Sequence, residues 1–533
     1  MSEYLNCGNE SFFSEVDNYY VDKSETLAIL NNSLNKRDRY ICLTRPRRFG
    51  KSVNAKMINA YYSKGCDSKE LFSVLKFANE PSFERELNKH NVISLDIVKM
   101  IGANNGINGI IEYITNQVIA ELERTFPNSF TTKNNLFKAL SEINSKTGEK
   151  FIVIIDEWDG IFRDHSHDEK LEIDYVDFLR TMFKGNDSDR VIELAYITGI
   201  LPIKRYNTQS ALNNFTEYTV LSSGDFSPFY GFTEDEVKVI CKEHDLDFNE
   251  TRRWYDGYVL GGLHMYNPNS IMQLIKFKEH KSYWGNTASF ESVSDLISMN
   301  FEGLKDDIFM MLDGSKIPLR DTLGFNVSLS SIKTKDDAMT YLTHLGYLAY
   351  TNGRVYVPNE EVRIILKKVV EDCHFDEYIR LIKDSQEILE KTYEGDCTYV
   401  ADCIRKYHSK YSSVIKYNSE ETLSYVVQNA YLACIENYYK PVREMPSGEG
   451  FADIVYIPKR EADRNIPALV IELKWNKDAQ TALEQIKEKL YTESLEDYCG
   501  NIILVGINYD KATKEHSCLI EQMKKNVECI KSF

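Results

Sequence analysis

The stretch RYICLTRPRRFGKSVNAKMINAYYS (residues 39–63) decides how the chain is read. Tyr40 to Leu43 form a near-unbroken apolar run, as expected of a strand buried on both faces. From Val53 onward the pattern is helical. Between them, Thr44-Arg45-Pro46-Arg47-Arg48-Phe49-Gly50-Lys51-Ser52 sits where a strand hands over to a helix. There, backbone N–H groups and a helix N-terminus together face a phosphate. In that frame Gly50 lets the backbone approach, Lys51 reaches the β- and γ-phosphates and Ser52 ligates Mg²⁺. Arg47, Arg48 and Phe49 belong to the same nucleotide-binding loop. The loop is irregular, because GxxxxGK[ST] calls for glycine where Arg45 stands, and Pro46 removes one backbone donor.

Working outward, NVISLDI (91–97), FIVIIDE (151–157) and VIELAYITG (191–199) read as further buried strands. Helical patterns at 107–124 and 175–183 lie between them. Alternating β and α elements predict a mostly parallel sheet with helices on both faces. The strand FIVIIDE ends in two carboxylates, Asp156 to hold Mg²⁺ through water and Glu157 to polarise the attacking water. At the end of VIELAYITG, Thr198 is placed to sense the γ-phosphate or to stand as a solvated strand-end cap, and Arg205 reads as a surface arginine in preference to a charge-sensing one. Residues 1–230 are therefore expected to form a P-loop NTPase domain.

From 231 to 374 the strand signals thin out. GFTEDEVKVICKEH predicts a capped helix, with a threonine before an acidic first turn. DDAMTYLTHLGYLAYTNGRVYVPNEEVRIILKKVV predicts helix, hairpin around Asn352-Gly353, and helix, a helical or winged-helix-like lid.

Residues 375–533 open with amphipathic helices over Phe375–Tyr407 and Glu420–Tyr439. Strand, loop, strand, helix (Ala479–Leu490) and strand follow, a second and smaller α/β unit. Asp453 lies in FADIVYI, and Glu472 and Lys474 lie in ALVIELKW. Residues two apart on a strand share a face, so Glu472 and Lys474 project together while Leu473 points to the core. One reading is a structural ion-pair network. The other is a divalent-metal site on Asp453 and Glu472, with Lys474 orienting water at a scissile phosphate. Gln485 and Lys489, four apart on one helix, would support the metal site or a phosphate. Glu421 would supply a third carboxylate or stand as a solvated helix N-terminus.

Bulk properties bound these readings. With 533 residues the chain is too long for one core, and 43% hydrophobic and 27% charged residues are ordinary for globular protein. A net charge of −17 disfavours non-specific coating of nucleic acid, so such binding needs a local basic surface. Eleven cysteines without a CxxC pair read as reduced thiols and signal no zinc site. The start MSEYLNCGNE suggests no signal peptide, and no apolar run is of spanning length, so a cytoplasmic protein is expected.

Taken together, YYVDKSETLAIL, TRPRRFGKS, VIIDEWDG, YITGIL, GFTEDEV, WYDGYVLGG, YNPNSI, YLTHLGYLAY and GFADIVYI…LVIELKW…ALEQIKEKLY…ILVGINY carry a family resemblance. The chain resembles the bacterial AAA-ATPase-like family whose members end in a PD-(D/E)XK nuclease-like domain. The resemblance implies that RPRRFGKS is that family's form of the phosphate loop. It further implies nuclease-fold roles for Asp453, Glu472 and Lys474, accompanied by Gln485 and Lys489. Ala452 stands where the nominal Pro-Asp pair has proline, and proline is not a ligand.

The expectation is thus an α/β protein: a P-loop sheet, a helical or winged-helix-like middle and a restriction-endonuclease-like C-terminal domain. ATP and Mg²⁺ are the expected cofactors, with Mn²⁺ an option at the second site. Nucleic acid, DNA in preference, is the expected partner. A homo-oligomer whose neighbouring copy completes the ATP site stays open, and no membrane is implied. The rival function is a signalling or scaffold ATPase whose nuclease-like domain binds nucleic acid or protein without cutting.

Overall fold

The computed structural model describes residues 2–524 apart from 18, 165–167, 186, 204–211, 285–288, 300, 321–331, 373–375, 412–419, 444–453, 461, 464 and 490–499. The chain divides into two compact units, one of residues 1–284 and 318–358, the other of 285–317 and 359–533. The middle region is therefore shared between them. Among the described residues no helix is long and apolar enough to cross a membrane.

The first unit is built on a five-stranded sheet: β1 (Tyr40–Thr44), β2 (Asn91–Asp96), β3 (Phe151–Asp156), β4 (Ile192–Gly199) and β5 (Thr216–Tyr218). Their order is β2-β3-β4-β1-β5, and every pairing is parallel. β1, β3 and β4 are buried along their whole length, which is why they read as continuous apolar runs. Helix Lys51–Tyr62 packs Ile58, Tyr61 and Tyr62 into a core with Phe12, Leu27, Ile152, Ile154 and Tyr196. In the parallel arrangement the C-terminal ends of β1 to β4 lie along one edge, and that edge carries Thr44, Asp96, Asp156 and Thr198. Crevices at this edge are where open parallel sheets bind ligands.

The same unit holds β6 (Phe232–Thr233), β7 (Tyr258–Leu260) and β8 (Leu263–Tyr266), in the order β6-β8-β7. Helix Glu234–Glu243 starts as expected, with a capping box closed between Thr233 and Glu236. β9 (Ile317–Pro318) is a two-residue strand where the chain crosses from one unit to the other. β10 (Ala349–Thr351) and β11 (Arg354–Tyr356) form the expected antiparallel hairpin. Its turn residues Asn352 and Gly353 both have positive φ, 48° and 75°, as a tight hairpin turn demands.

The second unit carries β12 (Val442–Arg443), β13 (Ile454–Tyr456), β14 (Ala468–Trp475), β15 (Asn501–Asp510) and β16 (Glu515–Lys524), paired in that order. Only β14 and β15 are parallel, and helix Ala479–Lys489 lies between them in the chain. Both expected leading helices are broken. The span 375–407 is cut at Gly395, whose φ is 80°, into Asp376–Glu394 and Cys397–Tyr411. The Asp396 N–H bonds back to the Lys391 carbonyl (3.0 Å) and the Asp396 carboxylate accepts from Tyr399 N (3.0 Å). The Gly-Asp pair thus stops one helix and caps the next. The span 420–439 resolves into Glu420–Ala430 and Cys434–Asn437.

Candidate functional site

At the loop edge of the first sheet, Gly50 takes a left-handed conformation (φ 84°, ψ 12°) at the start of helix Lys51–Tyr62. A side chain is disfavoured in that conformation, so the glycine is required by the backbone itself. Lys51 is buried, and its Nζ donates to the carbonyls of Arg45 (3.1 Å) and Pro46 (3.0 Å). Burial pushes the Lys51 ammonium down from its ordinary value, while Glu157, Asp156 and Asp159 pull it back up. Ser52 is exposed, and its hydroxyl favours the ionised form of the Asp156 carboxyl.

The irregular position in the loop has a physical substitute. Arg45 is fully buried, and its Nη1 donates to the carbonyls of Thr44 (2.8 Å) and Tyr218 (3.0 Å). Its guanidinium lies 5.7 Å from the centre of the Tyr230 ring, and burial lowers its pKa to about 10. The side chain therefore ties the end of β1 to β5. Phe49 is buried edge-on against Tyr258, ring centres 5.1 Å apart, so it anchors the loop to the protein. Arg47 is half-buried and its carbonyl accepts from Asn267 (3.3 Å). Arg48 is exposed, with φ 66°.

The two carboxylates after β3 differ in environment. Burial raises the Asp156 carboxyl to about 6; Ser52 opposes that shift, and Glu157 and Asp96 add to it. Asp96 is the register partner of Asp156 on β2. Glu157 has φ 52° and lies 4.0 Å from Lys51. Burial pushes its carboxyl up, but Lys51, Arg163 and Arg47 outweigh burial and hold it below the usual range. Thr198 is buried on β4, the strand between β1 and β3, and its hydroxyl has no hydrogen-bond partner among the described residues. The structure thus brings Lys51, Ser52, Asp156 and Glu157 together, with Thr198 at the same sheet edge; Arg205 lies outside the described residues.

Reading the sequence missed a second layer. Arg163 bonds the Glu157 carboxylate through Nη2, and its Nε lies 3.1 Å from Asp159 Oδ2. That same oxygen accepts the N–H groups of Ile200 (3.0 Å) and Leu201 (2.9 Å), just beyond Thr198. Gly199 is needed there, because a Cβ would lie 2.6 Å from Asp159 Oδ1. The Asp159-to-Arg163 spacing of four on a helical turn was the available signal.

In the second unit Glu472 and Lys474 are both buried on β14. Lys474 Nζ donates to Glu472 Oε1 (2.7 Å) and to the Gln485 side chain. Glu472 Oε2 has no hydrogen-bond partner among the described residues. Gly506, register partner of Glu472 on β15, lets helix Ala479–Lys489 approach, since a Cβ there would lie 2.5 Å from the Ala479 carbonyl. Asp453, which directly precedes β13, lies outside the described residues. So do the side chains of Glu421, in the first turn of helix Glu420–Ala430, and of Lys489.

Among the described residues a further group of potential metal ligands, Glu234, Asp256 and His264, has its ligand atoms within 4.8 Å of one another. Lys238 sits 2.7 Å from Glu234, and Arg252 lies 3.8 Å from Glu234 and 3.6 Å from Asp256. Those cations make it an ion-pair network.

Residues 9–208, which include Lys51 to Thr198, match the family described as "Predicted AAA-ATPase". Residues 419–517, which include Glu472, Lys474 and Gln485, match the PD-(D/E)XK nuclease superfamily. A curated protein of Azotobacter chroococcum mcd 1, "Uncharacterized protein in vnfD 5'region", is 26% identical over 292 residues, 53% of this chain and 53% of that protein. The chain thus spans about half the length of the curated relative it matches. Among solved structures, a Walker-type ATPase of Pyrococcus abyssi aligns over 65% of this chain and 94% of its own at 16% identity, TM-score 0.32. The ORC1 protein of Aeropyrum pernix in complex with DNA aligns over 71% of this chain and 100% of its own at 12% identity, TM-score 0.27. The chain thus carries one stretch, 9–208, that matches an AAA-ATPase-like family and another, 419–517, that matches the PD-(D/E)XK nuclease superfamily.

Proposed function

We propose that the chain binds and hydrolyses ATP at the Lys51, Ser52, Asp156 and Glu157 cluster. The nucleotide state would gate a divalent-metal-dependent phosphodiesterase on Asp453, Glu472 and Lys474 that acts on nucleic acid, DNA in preference. At the first site the Ser52 hydroxyl beside the Asp156 carboxylate is an oxygen donor set suited to Mg²⁺. Glu157 orients the attacking water, and Lys51 meets the terminal phosphates once it leaves the loop carbonyls. Thr198 senses the terminal phosphate from β4.

The observation that carries the second half is Glu472 Oε2, a buried carboxylate oxygen without a partner among the described residues. Leaving it so costs about 1–3 kcal/mol, which a cation would offset. A Mg²⁺ or Mn²⁺ ion bound there would polarise a phosphoryl oxygen. Gln485 and Glu472 hold Lys474 in place to orient water. Asp453, with Glu421 as a third carboxylate, would complete the ligand set.

One observation favours a second reading: Lys474 is already engaged by Glu472 and Gln485 in the interior, as in a structural network. A nuclease-like domain that binds nucleic acid or protein without cutting would have this form. Incubating the full chain with plasmid and linear DNA, Mg²⁺ or Mn²⁺, with and without ATP, separates the two. Cutting by the parent that is lost in Asp453→Ala, with ATP turnover intact, supports the proposal. No cutting under any condition, or cutting retained in Asp453→Ala, removes it.

A further inference from the structure

The second unit contains a cavity of about 250 Å³ away from the Glu472–Lys474 pair. Arg363, Lys367, Lys368 and Lys459 line it. In a chain of net charge −17, four cations around one concavity are an unusual local field, and clefts lined by one sign of charge concentrate counter-ions. Two carboxylates, Glu360 and Glu436, also line it, and they differ in how far they cancel that field.

Glu360 is fully buried and held bidentate by Arg363, Nε to Oε2 at 2.7 Å and Nη2 to Oε1 at 3.0 Å. Lys459 Nζ approaches the same Glu360 Oε1 at 3.1 Å. Burial pushes the Glu360 carboxyl up, and Arg363 with Lys459 overcome this and hold it below the usual range. One carboxylate therefore faces two fixed cations, Arg363 and Lys459. Glu436 is 43% exposed along its side chain and 3.9 Å from Lys367, a loose pair in water worth little. Helix Glu360–Asp372 places Arg363 and Lys367 four apart, on one face, and Lys368 next to them is exposed. Ile364 and Ile435 add an apolar wall.

We propose that this cavity is an anion site that takes a phosphate group, with the rest of the phosphate-bearing ligand against Ile364 and Ile435. The fixed guanidinium and Lys459 hold the charge in place, and Lys367 and Lys368 close on the ligand from the helix. The site is distinct from the metal-site candidates. Lys459 follows β13, whose Tyr456 pairs with Leu469, whereas Glu472 and Lys474 lie further along β14. At the rise of a strand, Leu469 to Glu472 alone is roughly 10 Å. The proposal holds whether or not the sheet cuts a phosphodiester.

The test uses the full chain and two probes: pyrophosphate followed by calorimetry, and a labelled single-stranded oligonucleotide followed by anisotropy. Lys367→Glu/Lys368→Glu should weaken at least one probe tenfold or more, and the milder Lys367→Gln/Lys368→Gln, which adds no like charge to the helix, several-fold. A loss confined to pyrophosphate identifies a free phosphate-bearing ligand. A loss for the oligonucleotide, with the log–log salt slope shallower by about 1.4 for two lost contacts, identifies a nucleic-acid backbone. The proposal is overturned if the parent binds neither probe or if both variants bind as the parent does. It is equally overturned if the same reversal at the exposed pair Lys511 and Lys514 gives the same loss.

Discussion

Glu472 Oε1 accepts a 2.7 Å hydrogen bond from Lys474 Nζ, and the two side chains are only 0% and 2% exposed. Burial makes each charge depend on the other, since an isolated buried ion is far costlier than a paired one.

Lys474→Met should therefore destabilise the second unit by about 3–5 kcal/mol, because Glu472 is left without its cation. Glu472→Gln/Lys474→Met should recover most of that loss while remaining inactive on DNA. Urea titration with hydrogen exchange of residues 468–475 reads the first effect and a plasmid assay the second. A double variant no more stable than Lys474→Met would mean that the pair is not energetically coupled.

Glu157→Gln should lower ATP turnover by about 10²–10⁴-fold, the usual range for removing a positioned base, with nucleotide affinity changed less than threefold. Lys51, then Arg163 and Arg47, keep the Glu157 carboxyl ionised against its burial, so the wild-type rate should not fall between pH 7 and 6 for want of this base. Equal phosphate release by parent and variant would leave the first unit a binding switch and not a hydrolase.

Gly506→Ala sets a methyl 2.5 Å from the Ala479 carbonyl and 3.0 Å from the Ala482 Cβ. Helix Ala479–Lys489 must shift outward, at a cost of about 1–3 kcal/mol, and Gln485 moves with it. The observable is a lowered urea midpoint for the second unit. An unchanged midpoint would show that the helix yields freely.

His516 supplies the pH dependence. Its Nε2 lies 2.8 Å from His408 Nδ1, and its ring contacts Tyr509 at 4.8 Å between centres. Burial, then His408 and Arg405, lower its pKa to about 3. The unfolded chain therefore binds a proton below pH 6.5 that the folded chain refuses until about pH 3. The resulting stability is complete above 6.5 and is lost progressively as pH falls through that window. Urea midpoints at pH 7.5, 6 and 5 should decline for the second unit, and His516→Gln should flatten the decline. Parallel slopes in parent and variant would falsify this account.

The legible parts of the fold were those whose pattern has one cause. β1, β3 and β4 are buried along their whole length and β2 along most of its own, so their apolar runs read as strands. The Thr233–Glu236 box and the Asn352-Gly353 turn are local chemistry, visible in a few residues. β16 went unread because EHSCLIEQMK mixes exposed polar and apolar residues, as suits a strand at the edge of its sheet. The helix break at Gly395-Asp396 was present as a Gly-Asp pair but was overridden by strong amphipathic periodicity on either side. At the sites, Lys51, Ser52, Asp156, Glu157, Glu472 and Lys474 followed from motif spacing. The contacts of Arg45 with Tyr218 and of Lys474 with Gln485 did not, since they join segments that only folding brings together.

The alternation of 1–284, 285–317, 318–358 and 359–533 between the two units has a consequence for how the protein is made. Neither half is finished in the order it is synthesised. The P-loop half waits for residues 318–358, which include the β10–β11 hairpin, while residues 285–317 emerge long before the sheet they belong with. A growing chain must hold that early segment uncommitted until its distant partners leave the ribosome. For the same reason no single cut yields two intact halves: a cleavage at any one point leaves at least one of them missing a piece or carrying the other's.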